Sequence, residues 1–224
     1  LFNVSPRQEA GYIGAMLFII PGFPFITSGL DLSKLDMRSG LERGAYAVII
    51  ITVATLVGWL VAMLVHLRPE DFMPLSLSPL MYLLLRLPAS FCGVFGFSIM
   101  FNSKLKMATT AGLIGAVANT LRLELVDLGH IPAGAAAFLG ALTAGLLASI
   151  VRKKVGYPRI SITIPSIVIM VPGLYMYRAV YNIGLTSIST GALWMTRALL
   201  IVVFLPLGLI AARILTDKKW RHNG

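Results

Sequence analysis

Read along the chain, apolar residues come in long unbroken runs, not in stripes. A helix needs about 20 such residues to cross roughly 30 Å of hydrocarbon. Residues 10–30 carry no charge between Glu9 and Asp31, and residues 44–65 none between Arg43 and His66. Residues 75–101 are apolar except for Arg86. Residues 107–125 form a shorter run whose last turn holds Arg122 and Glu124. Residues 131–151 are clean between His130 and Arg152, residues 160–177 between Arg159 and Arg178, and residues 190–212 are apolar except for Arg197. The pattern predicts an all-α polytopic membrane protein with seven transmembrane helices and short loops. The alternation of membrane β-strands is missing from these runs.

Composition narrows the class. Charged residues make up 12% of the chain and hydrophobic residues 57%, against about 25% charged in a soluble domain. That excludes an ordinary soluble enzyme, and equally a disordered chain. A single cysteine, Cys92, excludes a disulfide within the chain. His66, His130 and His222 are too far apart for metal-ligand spacing, and no cofactor is expected.

The net charge of +10 would suggest a nucleic-acid partner in a soluble protein. Its distribution says otherwise. With seven spans, one side holds Arg7, Arg68, Arg122 and Arg178. The other holds thirteen cations: Lys34, Arg38, Arg43, Lys104, Lys106, Arg152, Lys153, Lys154, Arg159, Arg213, Lys218, Lys219 and Arg221. This asymmetry predicts a cytoplasmic C-terminus and an outside N-terminus. Residues 1–9 have no cationic start and no cleavage pattern, so they are no signal peptide. An outside N-terminus leading straight into a helix predicts an odd number of spans upstream.

Two segments share a layout. A constant offset of 151 brings Pro21 onto Pro172, Gly22 onto Gly173, Asp31 onto Asn182 and Gly40 onto Gly191. Both Pro-Gly pairs lie inside an apolar run. Proline removes a backbone hydrogen bond, and in lipid the freed carbonyls need protein or a wet cavity around them. Five spans separate the two broken ones, so they run in opposite directions, the mark of an inverted repeat with a midplane site. Residues 71–216 then form a complete five-helix repeat. Residues 1–70 hold the last two helices of the other repeat, whose first three lie upstream, and residues 217–224 are a basic tail. The expectation is a 5+5 inverted-repeat, ten-helix transporter.

The residues around the breaks resemble the threonine/serine exporter family. Ile20-Pro21-Gly22-Phe23-Pro24, Leu30-Asp31-Leu32 and Gly40-Leu41-Glu42-Arg43 resemble the end of its first half. Residues 80–185 resemble its second half, through Phe101-Asn102-Ser103-Lys104, Tyr157-Pro158, Ile164-Pro165 and Val171-Pro172-Gly173 followed by Tyr175 and Tyr177. This sequence departs from the family pattern at Leu30-Asp31, in place of Arg-Asp, and at Asn182-Ile183-Gly184, in place of Gly-Asp. The resemblance implies a ten-helix exporter of small hydroxy-amino acids in the bacterial inner membrane, coupled to the proton gradient. In this family the halves occur fused or as separate subunits, and some two-subunit members are linked to succinate export.

Candidate substrate contacts follow. Pro21, Gly22, Pro24, Pro172 and Gly173 frame unwound backbone, unless they are only packing kinks. Arg86 and Arg197 are intramembrane cations able to grip a carboxylate, unless they snorkel to the interface. Thr27, Tyr175, Tyr177 and Arg178 flank the breaks. Asn119, with Thr120, lies in the fourth span and either meets substrate or bonds a neighbouring helix. Asp31 is the candidate coupling carboxylate, and Asn182 occupies its position in the other repeat. Two small-residue faces, Ala108-Gly112-Ala116-Thr120 and Ala136-Gly140-Ala144-Ala148, read as helix packing. Trp194 and Trp220 read as interface anchors.

The reading is a secondary exporter of threonine or serine working by alternating access. A dicarboxylate (succinate) exporter, a non-transporting accessory subunit and a channel are the alternatives. No HExxH, Gly-x-Ser-x-Gly or P-loop motif occurs, so an enzyme or an ATP-binding chain is not expected. Expected partners are substrate, membrane lipid, an upstream half on the same or another chain, and a homo-oligomer.

Overall fold

A computed structural model of the chain describes residues 11, 14, 20–66, 77–184 and 187–217. Among them eight helices follow one another without a strand: α1 (Gly22–Leu32), α2 (Met37–Leu64), α3 (Pro79–Met100), α4 (Leu105–Asp127), α5 (Ala133–Val155), α6 (Arg159–Val168), α7 (Gly173–Gly184) and α8 (Ile188–Thr216). Four lengths are long and apolar enough to cross a membrane: Met37–Leu64, Pro79–Met100, Ala133–Arg152 and Ile188–Thr216. Helices α6 and α7 make a fifth, bent by 44° at the break between them.

Two of the seven predicted spans are not among these five. Most of residues 10–19, the start of the first span, lie outside the described residues. The rest of that span is α1, whose 11 residues reach only about 16 Å. The fourth span is present as α4, but Thr109, Thr110, Asn119, Arg122 and Glu124 hold its apolarity down. It can be polar because it is interior: it packs on α3, α5 and α6. Its small side chains make this possible. Ala108, Gly112, Ala116 and Thr120 are all buried, as are Ala136, Gly140, Ala144 and Ala148 on α5. At Gly115 an added Cβ would stand 2.9 Å from the Ser166 carbonyl of α6.

Helix ends are written in the sequence. Ser78 accepts from Met81 N at 3.3 Å with Pro79 at the first helical position of α3. Gly156 ends α5 at φ 76°, the left-handed conformation that glycine adopts without strain. Pro158 then resets the chain for α6.

Segments at an offset of 151 share local backbone geometry. At the same offset of 151, α1 and α7 begin at Gly22 and Gly173, and α2 and α8 at Met37 and Ile188. Gly22 N donates to Ile20 O at 2.8 Å and Gly173 N to Val171 O at 2.9 Å. Asp36 N donates to Asp31 O, and Ser187 N to Asn182 O, at 3.1 and 2.9 Å. Gly40 lies against Leu32, and Gly191 against Ile183. The packing is reciprocal: α1 meets α8, and α2 meets α7. The two turns nevertheless sit at opposite ends. Lys34 of the α1–α2 turn shares a cavity with Arg213 and Asp217 at the C-terminal end of α8. The α7–α8 turn is at the N-terminal end of that 29-residue helix, about 43 Å away.

Candidate functional site

The site is built where the two breaks touch. Helix α6 is buried from Ile162 to Val168. Its ladder stops there because Pro172 has no N–H to give and the chain turns through residues 169–172. Opposite, Gly22 begins α1. A Cβ on Gly22 would stand 2.8 Å from Val168 Cγ2 and 3.0 Å from Val171 Cγ2. Glycine is therefore what lets the first Pro-Gly break close on the second. A cavity of about 190 Å³ lies beside this contact, with Ile20, Gly93, Phe97, Val168 and Val171 in its wall.

Helix α4 brings polar groups to the second break. Arg122 Nη1 donates to the Met170 carbonyl at 3.1 Å, so the arginine satisfies a backbone group that the broken helix leaves free. Asn119 Nδ2 donates to Ser90 Oγ at 2.9 Å. Three buried atoms on this stretch, Asn119 Oδ1, Thr120 Oγ1 and Arg122 Nε, have no hydrogen-bond partner among the described residues. Buried polar atoms are ordinarily partnered, so three in one turn of helix mark a place that can receive a polar ligand.

Aromatic groups gather the remaining cations. Tyr175 meets Trp194 edge-on at 5.3 Å. The guanidinium groups of Arg178 and Arg197 lie over the Trp194 ring at 4.8 and 5.2 Å. Tyr175 lies near both Arg122 and Arg178. None of these three arginines is ion-paired to a carboxylate among the described residues. Arg86 has the opposite fate. It is paired with Glu124 at 2.8 Å and with Asp127, and lies over Tyr82 at 4.8 Å.

The arrangement is a cluster of cations beside the interrupted α6–α7 span and the start of α1, in a bundle of apolar spans. The profile described as "Threonine/Serine exporter, ThrE" matches residues 86–215, and a second threonine/serine exporter profile matches residues 1–66. The chain belongs to the threonine/serine exporter family. No curated protein and no solved structure matches it. The family is one of transporters, and the chain is a multi-pass membrane protein.

Within this exporter-family chain the other predicted contacts take varied positions. Pro24 sits in the first turn of α1. Thr27 is buried, and its hydroxyl donates back to Phe23 O at 2.9 Å and Pro24 O at 3.2 Å. Tyr177 packs with Tyr181, Ala62 and Trp59 between α7 and α2, away from Trp194. Asp31 is ion-paired with Arg43 at 2.8 Å and lies 4.0 Å from Lys34. Asn182 donates to the Arg178 carbonyl at 2.8 Å. Two residues of this cluster have no site role in the sequence pattern: Arg122 reads there as a loop cation and Trp194 as an interface anchor. The spacing of Arg122 three residues after Asn119 carried the missing signal, because such residues share a helix face.

Proposed function

We propose that the chain is the core of a secondary exporter of threonine and serine, working by alternating access and coupled to protons. The observation that carries this reading is the contact of Gly22 with Val168 and Val171, beside three arginines that have no acidic partner among the described residues. A substrate carboxylate suits a guanidinium, which grips it with two parallel hydrogen bonds. Arg122, Arg178 and Arg197 are the groups for that role. Asn119 and Thr120 offer free buried oxygens to a substrate hydroxyl or ammonium, and the carbonyls around residues 168–171 offer further acceptors. Asp31 is the proposed coupling group: its protonation would release Arg43 and loosen the junction of α1 with α2.

The matched hydrogen bonds at an offset of 151, the reciprocal packing and the turns at opposite ends of α8 all support an inverted repeat. On this reading the seven spans belong to a 5+5 assembly of ten helices, completed by an upstream half on the same or another chain. The cation-rich end, with the C-terminus, faces the cytoplasm of a bacterial cell. One repeat would rock against the other around the junction of the breaks.

Three arginines with no acidic partner among the described residues also favour a second reading, a dicarboxylate substrate such as succinate. A zwitterion needs an anionic or strongly polar seat for its ammonium, whereas two carboxylates need only cations. Counterflow in proteoliposomes containing the chain with its upstream part or partner tests both. Saturable exchange of labelled threonine or serine, enhanced by an imposed pH gradient, is expected. Exchange of succinate alone would select the second reading. Flat traces for all three solutes in folded protein would overturn both.

A further inference from the structure

A second cavity, of about 310 Å³, opens at the cation-rich end of the bundle. Lys34 from the α1–α2 turn, Arg152 from the end of α5, Arg159 from the start of α6 and Arg213 from the end of α8 all line it, with Asp217 the acid among the lining residues. These cations arrive from four separate elements and sit far from the Trp194 cluster, which lies near the other end of α8. Their convergence is not incidental to one helix.

Arg159 is fixed in place. Its Nη1 donates to Thr216 Oγ1 at 2.8 Å and its Nη2 to Gly145 O at 3.0 Å. Thr216 Oγ1 is itself bonded to Ser149 Oγ at 3.1 Å. The rest of the five-donor guanidinium fork is thereby held in one orientation at the cavity wall. Cations crowded around one acid repel one another, and a bound anion relieves that repulsion. The lining carries four positive charges and one negative; even with Asp31 lying 4.0 Å from Lys34, the surplus is positive, and an anion lessens it. Arginine forks match the geometry of phosphate oxygens. Leu30 and Leu209 supply an apolar wall beside the charges, suited to the carbon stem that follows a lipid headgroup.

We propose that this cavity binds a phosphate-class oxyanion, delivered by an anionic phospholipid headgroup or as free phosphate. Because Lys34 belongs to the α1–α2 pair and the arginines to α5, α6 and α8, a bound phosphate ties the two parts of the bundle together at this end. The proposal does not depend on what the protein transports.

The test measures binding, not transport. The whole protein in detergent is titrated with phosphatidylglycerol, with inorganic phosphate and with phosphatidylcholine, and both its unfolding midpoint and the lipid retained in native mass spectra are followed. Phosphatidylglycerol or inorganic phosphate is expected to raise the midpoint, and phosphatidylcholine to leave it unchanged. A response to phosphatidylglycerol alone identifies the headgroup as the source, and a response to inorganic phosphate identifies the free anion; either supports the site. Arg152→Gln with Arg213→Gln should weaken the effective probe at least tenfold. Lys34→Gln, at an exposed position, should weaken it severalfold and carries the test if the double variant does not fold. Lys104→Gln with Lys106→Gln, exposed cations at the start of α4, should change nothing. No midpoint shift in the wild type, or equal weakening by the Lys104 and Lys106 changes, would overturn the proposal.

Discussion

The α1–α2 and α7–α8 pairs share local backbone features and differ in chemistry. Both begin at a Pro-Gly break, both turn through a matched hydrogen bond, and both bring a glycine, Gly40 or Gly191, against the preceding helix. Yet at the first turn Asp31 is ion-paired with Arg43, whereas at the second Asn182 bonds the Arg178 carbonyl. The first pair carries its charge at the turn. The second carries its cations around Tyr175 and Trp194, with Arg122 added from α4. Local architecture is therefore shared between the pairs, while charge has been divided: the ion-paired carboxylate lies at one, and at the other lie cations with no acidic partner among the described residues.

The largest expected effect comes from the cation that has no counterpart in the first pair. Arg122→Gln removes a charged donor from the Met170 carbonyl and from the proposed substrate. Such bonds contribute about 1.5–3 kcal/mol, so KM for counterflow should rise about 10- to 150-fold. An unchanged KM would make Arg122 a structural strut only. Next come the glycines. Gly191→Ala drives a Cβ to 2.9 Å from the Ala179 carbonyl, a backbone atom, and should cost about 1–3 kcal/mol of stability. Gly40→Ala meets chiefly the flexible Leu32 side chain, and its cost should be lower. Thermal unfolding in detergent ranks the two, and a reversed order would show that the backbone clash at Gly191 is not the costlier one.

Exchanging the polar residues sharpens the comparison further. Asp31→Asn gives the first turn the residue type of the second. It should abolish the response to an imposed pH gradient while leaving counterflow in place. Persistence of that response would remove Asp31 from coupling. The smallest effect is expected at the helix caps. Asp36 accepts from Ser39 N at 3.2 Å, and this bonding to Ser39 holds its carboxyl below the usual carboxylate range. Ser187, at the matching position, makes no side-chain cap bond. Asp36→Ala should lower the unfolding midpoint slightly and Ser187→Ala should not. A carboxylate whose folded pKa is lowered stabilises above its unfolded pKa and loses this as pH falls through the folded value. The difference between wild type and Asp36→Ala should therefore shrink on acidification.

Most helices were legible because hydropathy reports burial in lipid or protein, and the Pro-Gly pairs marked the breaks. What the sequence hid was pairing across helices. Arg86 reads as an intramembrane cation in search of a ligand, but its partners Glu124 and Asp127 are 38 and 41 residues away. Arg122 reads as a loop charge because it closes a short run. Its position at the break follows from α4 being interior, and a residue-by-residue count of apolarity cannot distinguish an interior helix from a lipid-facing one.

The Arg86 bridge to α4 has a consequence for biogenesis. A helix as polar as α4 gains little by leaving the insertion machinery for lipid alone. Bound to α3 through Arg86, it can enter the bilayer as half of a hairpin in which the arginine and its two carboxylates offset one another. The first requirement on α3 is thus that of a chaperone within the chain, and disruption of the bridge should show as lost protein in the membrane before it shows as a slower cycle.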